Sequence, residues 1–124
     1  MIKEIRKEEI PDWDFGDIAI KTFSFGDQNY IASIMAKIRG KSIDDADVGL
    51  KDDISIDVLN VNSLAAGLHY IKGKDNISFV LKPNLHRTEK INVCDKDISF
   101  TAGQYILKQI TILNNPISED QKKN

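Results

Sequence analysis

The sequence predicts a small α+β domain, mainly helical with a short antiparallel sheet, and two observations lead there. Apolar residues recur at helical spacing in three separate segments. Two shorter runs rich in Ile, Val and Phe read instead as strands. With 124 residues, of which 41% are hydrophobic and 29% charged, the chain has the size and composition of a single domain spanning 1–124.

Residues 1–12 are charged and end near Pro11, which predicts a flexible lead-in. Asp17-Ile-Ala-Ile-Lys-Thr-Phe23 follows as the first strand, with Ile18 and Ile20 on one face. Ser24 and Asp27 then stand at capping-box spacing. Ile31, Ile34, Met35 and Ile38 form one apolar stripe beyond them. Lys37 and Arg39 complement the helix dipole and Gly40 offers a left-handed stop, so a helix is predicted over 24–39.

Residues 41–53 form a polar, acidic connection. Ile54, Val58, Val61, Ala65 and Leu68 share a face joined by Leu64 and Ile71, predicting a second helix over 54–72 that stops at Gly73. Gly67 costs that helix about 1 kcal/mol. Asn76-Ile-Ser-Phe-Val-Leu-Lys82 reads as a strand ended by Pro83. Over 83–97 a weak alternation around Ile91 and Val93 suggests a short strand. A last helix is expected over 99–113, burying Ala102, Ile106, Ile110 and Leu113 with Tyr105. Residues 117–124 read as a solvated tail.

The chemistry of the side chains points away from catalysis. The formal charge of −2 offers no global field for nucleic acid or anionic lipid. One cysteine, Cys94, permits no intrachain disulfide, which fits a cytoplasmic protein. The start contains no apolar signal segment, and the longest uncharged stretch, 58–71, is too short to span a bilayer. Asp44, Asp45, Asp47, Asp52, Asp53 and Asp57 make a tempting cation site. Started at Asp45, however, a calcium loop would place Gly49 fifth and Ile56 twelfth, where a bidentate glutamate belongs. A solvated linker with helix-capping carboxylates is the better reading.

His69, on the second predicted helix, and His86, in a loop, lack zinc-ligand spacing with each other or with Cys94. Cys94 sits in a strand-like segment with nothing to lower its pKa, so a small core residue is expected there rather than a nucleophile. Phosphate-binding glycine motifs are missing. Trp13 and Phe15 could stack a base, but core closure is favoured for the only tryptophan. No cofactor or metal is expected.

The strand leading into Thr22-Phe-Ser-Phe-Gly-Asp-Gln28 and an amphipathic helix resembles the opening of tail assembly chaperones from long-tailed phages and related proviruses. The late helix ending Ile110-Thr-Ile-Leu-Asn-Asn115, followed by a short charged tail, is similar in layout. The resemblance covers most of the chain in element order, and the Phe23–Gln28 segment in residues. It implies a protein without catalysis that keeps a helical tape-measure protein soluble while tail-tube subunits assemble around it. Such proteins are often made in two lengths by frameshifting, and no functional residues carry over.

Leu59, Leu64, Ile71, Leu107 and Ile112 exceed what the main helix faces need, and are the residues expected to meet a partner helix or a second copy. The rival reading is a nucleic-acid-binding regulator using Lys82, Arg87, Lys90 and Lys96, partly cancelled by Glu89, Asp95 and Asp97.

Overall fold

The structure is a computed structural model that describes residues 1–43 and 56–115. Four strands form one antiparallel sheet in chain order: β1 (Ile2–Ile5), β2 (Ile18–Lys21), β3 (Leu68–Lys72) and β4 (Phe79–Leu81). Four α-helices accompany it among the described residues: α1 (Phe25–Ile43), α2 (Ile56–Gly67), α3 (Arg87–Asp97) and α4 (Phe100–Asn114). This is the small α+β domain that the sequence predicts.

The sheet is organised by one row of side chains. Ile5 pairs with Ile18, Ile18 with Ile71, and Ile71 with Leu81, so four apolar residues line up across all four strands. All four are buried, and Ala65, Ala102, Ile106 and Ile110 from the helices join the same cluster. In the adjacent row Glu4 pairs with Ala19 and Ala19 with Tyr70. There the Tyr70 hydroxyl donates to Glu4 Oε2 at 2.6 Å. A period of two thus separates a wholly apolar row from one in which Glu4 and Tyr70 flank the buried Ala19.

Three element assignments are corrected. The supposed lead-in over 1–12 contains β1, whose Ile5 is only 3% exposed. Its charges sit at Lys3 and Glu4, as suits the edge of a sheet. The second predicted helix ends at Gly67, and the chain passes directly into β3. His69 and Ile71 are therefore strand residues. Helical and strand periods both fit this short run, and pairing with Ile18–Ile20 decides between them. Gly73, the expected stop, instead belongs to the β3–β4 turn, where its N–H donates to the Ser78 carbonyl at 2.8 Å.

The third correction is α3, which replaces the short strand read around Ile91 and Val93. Its most buried positions are Lys90 and Cys94, four residues apart. A lysine in the buried stripe hides the helical period from any pattern of apolar residues. His86 caps this helix, its Nδ1 accepting from the Thr88 N–H at 3.2 Å.

The other elements follow their signals. The Ser24 Oγ accepts from the Asp27 N–H at 3.1 Å, as its capping position requires. Ile31 and Ile34 are buried, while Met35 is 38% exposed. Helix α1 runs on through Gly40 to Ile43, so that glycine does not stop it. Ser99 caps α4, accepting from the Ala102 N–H at 3.2 Å. Trp13 and Phe15 pack edge to face at 5.1 Å against the core, the Trp13 indole donating to the Gly16 carbonyl. The connection expected over 41–53 gives way to α1 as far as Ile43, and its remainder from 44 to 53, like the tail 117–124, lies outside the described residues.

Candidate functional site

The site grows from the way three helices meet. The residues from Ile98 to Phe100 turn the chain sharply between α3 and α4, with Ser99 fixing the start of α4. Helix α2 packs against both α3 and α4. Where the three diverge, a groove of about 370 Å³ remains. Val61 and Leu64 of α2, Ile98 of the turn, and Phe100 and Leu107 of α4 supply its apolar lining. Asp57, Asn60, Asp95 and Gln104 contribute its polar groups.

Two features make this surface receptive to an apolar partner. Phe100 is 81% exposed in the first turn of α4, although a buried aromatic ring is worth far more to a fold. Gly103 lies one turn further on, where the wall has room for a methyl group that glycine leaves unfilled. A Cβ there would stand 3.6 Å from Ile98 Cγ2 and 3.7 Å from Leu64 Cδ2, both ordinary contacts.

Of the five residues expected to meet a partner, the groove gathers Leu64 and Leu107. Leu59 is half-buried on α2 outside the lining, and Ile112 is 51% exposed further along α4. Ile71 is fully buried in β3 and unavailable to any partner, a correction that follows from the helix-to-strand change at Gly67. Phe100, Val61 and Ile98 were missed. For Phe100 the signal was present, since an aromatic residue directly after a capping serine lies at the open end of a helix.

Cys94 also lines the groove, but burial pushes its thiol pKa up to about 12, against a smaller opposing effect from Lys90. A thiol so held is protonated and a poor nucleophile. The groove lining contains no histidine. His69 lies on β3, where burial and then the charges of Lys21 and Lys90 push its pKa down. Of the acidic run, Asp57 alone is described, and no group of three or more His, Cys, Asp or Glu side chains among the described residues is placed to hold a metal ion.

The basic set is split by the fold. Arg87 pairs with Asp27 at 2.8 Å and stacks over the Tyr30 ring at 4.3 Å. Lys90 is buried and donates to the Leu68 carbonyl at 2.7 Å. Lys82 and Lys96 remain exposed. The pocket beside Trp13 and Phe15 also includes Asp12, Asp14 and Asp97, a negative surround that disfavours a nucleic-acid backbone.

Comparison with known proteins finds no matching family model, no similar curated protein and no similar solved structure. Among the described residues, no helix is long and apolar enough to cross a membrane.

Proposed function

We propose that this protein is a non-enzymatic assembly chaperone or adaptor that holds a helical segment of a partner protein in the groove between α2, α3 and α4. The observation that carries the reading is the conjunction of exposed Phe100 with an apolar floor built from Leu64 and Leu107. An amphipathic helix projects apolar side chains at i, i+3, i+4 and i+7, and a groove between helices receives such a row. Covering the client's apolar stripe keeps it from self-association, which is what a holdase does. The sequence resemblance to phage tail chaperones supplies the client class, a tape-measure-like helix, and with it a host-cell cytoplasmic setting and no cofactor.

The test is suppression of aggregation. A synthetic amphipathic helix with a leucine stripe should stay soluble at stoichiometric amounts of the protein. Phe100→Asp should abolish that protection while leaving the thermal midpoint nearly unchanged, because the side chain is already in solvent. Full protection by Phe100→Asp would sink the groove as the docking site. Tight, salt-dependent binding to duplex DNA or RNA would favour the nucleic-acid reading instead.

A further inference from the structure

A further, smaller cavity, of about 80 Å³, lies where β2, α1, α2 and α3 come together. Its polar lining is Lys21, Asp27, Arg87 and Lys90, and Ala65 and Leu85 contribute apolar wall. One carboxylate therefore faces three cations. That carboxylate is already engaged, since Asp27 Oδ1 accepts from Arg87 Nη2 at 2.8 Å.

Lys90 is the telling residue. It is 5% exposed, and its ammonium donates to the Leu68 carbonyl at 2.7 Å. That carbonyl follows the last residue of α2, where the negative end of the helix dipole welcomes a cation. An ammonium has three N–H donors, and this contact uses one of them. Lys21 has no ion pair among the described residues. Two ammonium groups thus border a confined space without a free counter-charge. Burial depresses the Lys90 pKa, Lys21 depresses it further, and Asp27 opposes both.

We propose that this cavity binds a small tetrahedral oxyanion, inorganic phosphate or a phosphoryl group, between the ammonium groups of Lys90 and Lys21 beside the Arg87 guanidinium. Its volume far exceeds the roughly 10–15 Å³ needed for one water, so a small anion has room. Acceptor oxygens would take up the unused N–H donors and supply the missing negative charge. The site is separate from the helical groove and does not depend on it.

Calorimetric titration of the intact protein with sodium phosphate, at ionic strength held constant with chloride, tests the site. Saturable binding of one phosphate per chain is expected. Lys21→Met should weaken it about tenfold or more, the loss of one charge-assisted hydrogen bond. Lys108→Met, an exposed lysine of α4 outside this cavity, should leave it unchanged. Phenyl phosphate binding as well as inorganic phosphate assigns the site to a phosphoryl group on a carrier, and binding of inorganic phosphate alone assigns it to the free ion. No saturable heat with the wild-type chain overturns the proposal, as does equal affinity in a folded Lys21→Met variant or acetate binding as tightly as phosphate.

Discussion

Asn76 stands in the left-handed region at φ 62°, a conformation that asparagine tolerates better than most residues. It reaches 59 positions back along the chain to hold Asp17. The Asn76 Nδ2 donates to Asp17 Oδ2 at 3.0 Å, while the Asp17 N–H donates to Asn76 Oδ1 at 2.8 Å. The Lys7 N–H adds a third hydrogen bond, to Asp17 Oδ1 at 2.9 Å. These contacts favour the ionised carboxylate and hold its pKa below the usual value, the Asn76 bond contributing most. Because the folded pKa is the lower one, the stabilisation is complete above the unfolded value of about 3.9. It is lost as pH falls through the folded value. Asp17→Asn should therefore be less stable than the wild type at pH 7 and converge on it as pH falls through the folded value. Urea midpoints measured across that range check this, and parallel curves for the two proteins would contradict it.

At the scale of elements, two glycines in helices behave oppositely because of what they face. Gly67 closes α2 against α4, and a Cβ there would collide with the side chain of the fully buried Ile110. The propensity cost read from the sequence is thus the condition for close packing. Gly67→Ala should destabilise the fold by about 1–3 kcal/mol through overpacking. Gly103→Ala meets ordinary contacts only, and should stabilise by up to about 1 kcal/mol as a better helix former. Chemical denaturation of both variants should give shifts of opposite sign. The same contrast explains what the sequence could reveal. Capped helices with unbroken apolar stripes, α1 and α4, were legible because local chemistry and packing agree. Helix α3 was not, since its inward face carries Lys90, whose burial depends on the distant Leu68 carbonyl. Strand β3 was not, since Leu68 and Ile71 fit a helical face until β2 pairs with them. For the groove, Leu64 and Leu107 could be named in advance as surplus apolar residues, but their convergence with Phe100 depended on the α3–α4 turn.

At the scale of the whole molecule, the first strand unites the features that the sequence presented as separate. β1 occupies one edge of the sheet and shields β2, whose Ile18 and Ile20 are fully buried. Through Ile5 it starts the row that runs by way of Ile18 and Ile71 to Leu81, and the helices rest on that same core. Deleting residues 1–6 would remove the buried Ile5 side chain, worth about 1.5–3 kcal/mol. It would also leave the backbone N–H and C=O groups of β2 as a new, more apolar edge. Such an edge invites pairing with another chain, where the native one presents Lys3 and Glu4. The truncated protein should melt at lower temperature and self-associate, seen as a rising mass in size-exclusion chromatography with light scattering. A monomeric truncation with the full-length melting temperature would mean that β1 merely lies on the sheet and that the core begins at β2.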